Sequence, residues 1–150
     1  MSNCFETRFI ERKKPLYTEH KDHDCRISSA KKAIEGILSL DLYPAHKRRL
    51  LRQVIWEITE ADGKYNVRYW SEGAVAGNEE KLQHEHVHEI KELIARLLNG
   101  ESIESVVSDA LACLVTKEEH RRLTNSGKNG WARYADAGIR VFDARLGQWR

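Results

Sequence analysis

The chain has 150 residues, 41% apolar and 32% charged, and a formal net charge of +2. The apolar share excludes wholesale disorder, no run approaches the ~18 uninterrupted apolar residues of a membrane helix, and the near-neutral balance excludes a strongly basic coat protein for nucleic acid. The three cysteines, Cys4, Cys25 and Cys113, are odd in number and far apart. Together with an N-terminus that lacks a basic stretch leading into an apolar one, they point to a cytoplasmic chain without a disulfide framework.

In chain order, residues 1–26 read as a polar arm. Ser28-Ser29 can cap a helix running to about Leu40, with Ala30, Ala33, Ile34, Ile37 and Leu38 on one face. Pro44 suits the first turn of a second helix, which runs to about Thr59 on the stripe Leu50, Leu51, Val54, Ile55 and Ile58. Residues 65–70 read as a strand by their aromatic and β-branched content, and 73–80 as a loop. A helix over 91–98 ends at Asn99-Gly100, and a shorter one over 103–110 starts with the capping pattern of Ser102 and Ser105. Residues 111–115 read as a buried strand. Thr116-Lys117-Glu118-Glu119 matches a capping box and opens a helix carrying His120 and Leu123. A short helix over 131–137 stops at Gly138, and 139–143 alternate as a strand. The expected architecture is one α+β domain: the arm, a helical part over 27–60, a mixed unit over 65–125, and a C-terminal helix and strand over 129–146.

Charge is uneven along the chain. Residues 1–50 hold 11 Lys/Arg and 7 Asp/Glu, 51–100 hold 6 and 9, and 101–150 hold 8 and 7. The acidic middle third contains Gln83-His84-Glu85-His86-Val87-His88, where three of the seven histidines fall within five residues. Without a Cys-x-x-Cys pair, any metal must rest on histidine and carboxylate. One reading of the cluster is an HExxH zinc hydrolase. On a helix, His84 and His88 would share a face and Glu85 would serve as general base. That reading requires residues 84–88 to be helical and a third ligand from Glu104, Asp109 or His120.

In the other reading Glu85-His86 closes a strand, residues 111–115 form a second strand, and the capped helix with His120 follows. Residues 82–87 and 113–123 in this order resemble the ββα-metal, or HNH, nuclease finger, with the helix near residues 89–98 as an insertion. The resemblance covers about residues 65–125. It implies that His86 activates water, that Glu85 and His120 hold a divalent ion such as Mg²⁺ or Mn²⁺, and that His84 is a further ligand or a phosphate contact. It also implies DNA or RNA as partner, with Arg121 and Arg122 neutralising phosphates. The middle Asn of the family has no counterpart near residues 111–113. Asn125 and Asn129 follow the helix histidine instead.

The residue types have plainer readings as well. His46-Lys47-Arg48-Arg49 can touch a nucleic-acid backbone or form a solvated helix start. His20, His23 and Cys25 can ligate a metal or sit in a solvated arm. Trp56, Trp70, Trp131 and Tyr134 suit a core, and Cys113 a buried, inert position. A non-catalytic interaction or regulatory protein, binding a protein partner, is the third reading.

Overall fold

The computed structural model of the chain describes residues 14–77 and 81–150. Cys4 and the first half of the predicted arm lie outside the described residues. Helix α1 spans His23–Ser39, so it begins five residues before the Ser28-Ser29 cap expected from sequence. The reason is tertiary. Asp22 makes no side-chain cap, but His23 Nδ1 lies 2.8 Å from Asp62 Oδ1 and Arg26 Nη1 donates to the Ala61 carbonyl at 2.7 Å. The remaining arm is strapped to the same turn. Tyr17 donates its hydroxyl to Asp62 Oδ2 at 2.6 Å, and Asn66 Nδ2 donates to the Thr18 carbonyl at 2.6 Å.

Helix α2 spans Pro44–Thr59, with Pro44 in its first turn as expected. The strand expected over 65–70 shortens to β1, Tyr69–Ser71. The loop expected over 73–80 begins instead with a short helix, α3, Glu72–Ala76. Ser71 accepts from the Ala74 N–H, and Gly77 ends the turn in the left-handed region at φ 68°. Then follow β2 (Gln83–His86), α4 (Ile90–Leu98), α5 (Ile103–Asp109), β3 (Ala112–Val115), α6 (Lys117–Asn125), α7 (Trp131–Asp136), β4 (Val141–Asp143) and β5 (Gln148–Trp149). Strand β5 had no signal in the sequence pattern.

The fold is α+β. The five strands form one mixed sheet in the order β2-β3-β1-β4-β5. Only β1 and β3 run parallel; the other neighbours are antiparallel. Helices α1, α2, α4 and α5 share an apolar core around Ile34, Leu51, Ile55, Leu93, Leu97 and Val106. Strand β3 is buried on both faces, which its unbroken apolar sequence requires. Cys113 and Val115 pack with Tyr69, Leu123 and Tyr134 on one side, and Ala112 and Leu114 pack with Val67 and Ala74 on the other. Among the described residues no helix is long and apolar enough to cross a membrane.

Helix α6 carries His120, and its start is fixed by the expected capping box. Thr116 accepts from the Glu119 N–H, and the Glu119 carboxylate returns to the Thr116 N–H at 2.9 Å. Glu119 is 2% exposed. It reaches further than a capping residue needs to, because it also accepts from Ser71 Oγ at 2.5 Å and from the Gly73 N–H at 3.0 Å. A buried carboxylate with three donors locks α6 to β1 and α3.

Candidate functional site

Strand β2 places the residues of the histidine cluster. It pairs antiparallel with β3, with His84 opposite Leu114, Glu85 opposite Cys113 and His86 opposite Ala112. Directly opposed residues share a face, and successive residues alternate. His84 and His86 therefore belong to the Ala112/Leu114 face, and Glu85 to the Cys113/Val115 face with α6 and α7.

The contacts follow that division. On the first face the His84 ring stacks on Trp56 of α2 with centroids 5.3 Å apart, and the His86 ring meets Trp56 edge-on at 4.4 Å. The Thr59 hydroxyl donates to the Trp56 carbonyl, so its oxygen is free to accept from His86 Nε2 at 3.0 Å. His86 is 7% exposed. Burial pushes its pKa down to about 3, helped by His84, Arg52 and Arg133, and burial also lowers that of His84. Both rings are held neutral.

On the second face Glu85 meets the helix. His120 Nδ1 lies 2.5 Å from Glu85 Oε2. The other carboxylate oxygen is held by Arg133 of α7, with Nη2 at 3.0 Å from Glu85 Oε1. The same nitrogen donates to the carbonyls of His86 at 2.5 Å and Val87 at 3.2 Å. The arginine is buried, the carboxylate nearly so, and the His120 side chain is 46% exposed. A carboxylate gripped on one side thus orients an imidazole that opens to solvent on the other.

Glu85 and His120 come together, whereas the ββα resemblance also requires His86 beside His120. His86 does not join them: strand alternation turns its ring to the opposite face, into the interface with α2. His84 goes with His86 and contributes nothing to the Glu85 side. The HExxH arrangement is not formed, because residues 83–86 are extended and the next helix starts only at Ile90. His84 and His88 therefore do not stand one helical turn apart. His88 packs instead against Gly130 and lies 4.0 Å from Asp109. Asn129, out of order for the family's asparagine, accepts from the Glu89 N–H at 3.0 Å and so holds the start of α4.

The basic candidates divide. Lys47 reaches back to the Leu38 carbonyl at 3.4 Å, whereas Arg48 and Arg49 are exposed on α2. Arg122 is engaged by Glu118 at 3.0 Å and donates to the Ala137 carbonyl at 2.9 Å, whereas Arg121 beside it is exposed. No protein-family model, curated protein or solved structure matches the chain.

Two residues escaped the sequence reading. Arg133 lies on a short helix, and only the tertiary fold buries it against Glu85. Arg52 lies four residues after Arg48, on the same face of α2. With Glu85, Glu89, Lys91 and Arg133 it borders a groove of about 290 Å³, which His86 and Thr124 complete. The arm also differs from a simple solvated segment. Glu19, His23 and Asp24 bring ligand atoms within 4.8 Å of one another, the one such group among the described residues. Cys25 is exposed and Cys113 is buried.

Proposed function

We propose that the protein binds nucleic acid and hydrolyses it with a divalent ion held by Glu85 and His120, as an HNH-type unit whose water-activating histidine has been lost to the core. One observation carries the reading: the 2.5 Å contact of Glu85 and His120, made across an antiparallel strand pair followed directly by a capped helix. A carboxylate oxygen and an imidazole nitrogen are a mixed donor pair suited to Mg²⁺ or Mn²⁺, which keep several waters and take phosphate oxygens as further ligands. Such an ion supplies charge stabilisation at the phosphate and a more acidic bound water.

The chain's own residues would do the rest. Arg133 fixes the carboxylate through Oε1, so that Oε2 meets His120. Arg52 and Arg121 offer positive charge to phosphates on either side. His86 takes no proton in this scheme, because a buried ring with a pKa of about 3 is a poor base at neutral pH. The test is cleavage of supercoiled plasmid, single-stranded DNA and RNA with Mg²⁺ or Mn²⁺. Wild type is expected to cut at least one of them, and Glu85→Gln and His120→Ala to cut none. All substrates left intact by wild type would overturn the hydrolytic reading.

The Arg133 contact favours a second reading, in which Glu85, His120 and Arg133 form a latch tying β2 to α6 and α7 in a non-catalytic binding protein. There Glu85→Gln lowers stability and leaves nucleic-acid affinity and ion response unchanged.

A further inference from the structure

Helix α7 has two working sides. Arg133 points to Glu85, while Trp131 and Tyr134, three residues apart, share another face. That face walls a cavity of about 440 Å³ completed by Ile139, Val141, Arg140 and Arg150. Its lining is aromatic and aliphatic at the base and cationic at the edge. Trp131 is half-buried and braced edge-on by Tyr69 at 4.8 Å. The Arg150 guanidinium lies over the Trp131 ring, 4.1 Å from its centroid, and 5.6 Å from that of Tyr69. Arg140 sits over Trp149 at 4.7 Å. The Arg150 backbone is itself anchored, its N–H donating to the Val141 carbonyl at 2.8 Å.

We propose that this cavity is a base-stacking site for single-stranded nucleic acid, with one base stacking on the outer face of the exposed Arg150 guanidinium, which Trp131 backs, and the adjoining phosphate meeting exposed Arg140. A planar guanidinium held flat on an indole can stack on the face of a base without regard to its sequence, and it also pairs with phosphate. Charge complementarity selects the occupant. Two exposed arginines at the edge of an apolar slot disfavour a cationic partner and favour an anion that also carries a ring. The inference rests on the nucleic-acid reading above and adds a place for the strand on the far side of α7 from Glu85.

The experiment is fluorescence anisotropy of a labelled oligodeoxyadenylate with the full chain and no added metal, so that ion binding at Glu85 and His120 plays no part. Arg150→Ala and Trp131→Leu are each expected to weaken binding about tenfold or more, and Trp131→Phe to retain most of it. Circular dichroism checks that each variant folds. Should Trp131→Leu not fold, exposed Arg150→Ala and Arg140→Ala carry the test. Competition by adenosine monophosphate at millimolar concentration would support the same pocket, and a matching loss of that competition in Arg150→Ala would support it further. Oligomer binding unchanged in all variants would overturn this site and leave the nucleic-acid reading standing. No binding of the oligomer by wild type would overturn this site, while the nucleic-acid reading is decided by the cleavage test with Mg²⁺ or Mn²⁺.

Discussion

Glu85 and His86 are neighbours in sequence and face opposite sides of the sheet: one meets His120 and Arg133, the other Trp56 and Thr59. The rings of His86 and His120 can therefore be separated by mutation. His86→Ala removes a buried ring packed on Trp56 and is expected to cost about 2 kcal/mol of stability by urea denaturation, within the range for truncating a packed side chain. His120→Ala removes a half-exposed ring and is expected to stay within about 0.5–1 kcal/mol of wild type. On the ion-binding proposal above, Mn²⁺ titration calorimetry should reverse the order, with His86→Ala expected to keep the binding heat and His120→Ala expected to abolish it. Loss of binding in folded His86→Ala would contradict the division of the strand into two faces.

The neutral histidines give the fold a pH dependence of definite sign. Burial lowers the pKa of His84 and takes that of His86 to about 3. Above about pH 6.5, the ordinary histidine value, both are neutral in the folded and unfolded chain and the effect is fully favourable. Below it the unfolded chain takes up protons that the folded chain refuses. Stability should fall as pH drops from about 6.5 toward 3, by up to about 1.4 kcal/mol per unit for His86. Urea midpoints between pH 7.5 and 5 measure this before the carboxylates titrate. His86→Gln should flatten the slope, and a flat wild-type profile would show that the ring is not held neutral.

Glu119 should matter more than a capping residue ordinarily does. Thr116→Ala removes the cap alone and is expected to cost about 1 kcal/mol. Glu119→Ala also strands Ser71 Oγ and the N–H groups of Gly73 and Thr116, and is expected to cost about 3 kcal/mol or more. Gly73→Ala tests the same junction, since an added Cβ would stand 2.7 Å from Glu119 Oε1. Thermal melts of the three variants should rank Thr116→Ala as the mildest.

Gly130 combines backbone and steric constraint. Its φ is 61°, and a Cβ there would come within 2.7 Å of the His88 ring. Gly130→Ala is expected to cost about 2 kcal/mol or more, part for a positive-φ backbone with ψ −153°, a region open essentially to glycine alone, and part for the collision. Adding His88→Ala should relieve only the second part. A double variant no more stable than the sum of the two single changes predicts would show that the ring is not the obstacle.

Several features were legible in the local sequence because local energetics suffice for them. The Thr116/Glu119 capping box, Pro44 at a helix start, the stop at Asn99-Gly100 and the buried apolar strand through Leu114 each depend on a few neighbouring residues. The pairing of Glu85 with His120 was implied only by the resemblance to the ββα finger, which also called for His86 beside them. The tertiary structure decided the rest. Helix α1 begins at His23 because Asp62, far along the chain, takes its ring. His86 is buried because the register of β2 on β3 turns it toward α2, and a one-residue slip would exchange its place with Glu85. Arg133 reaches Glu85 only because α7 folds back on the same face as α6. The sequence by itself determined which residues could carry chemistry; strand register and helix packing decided which of them face one another.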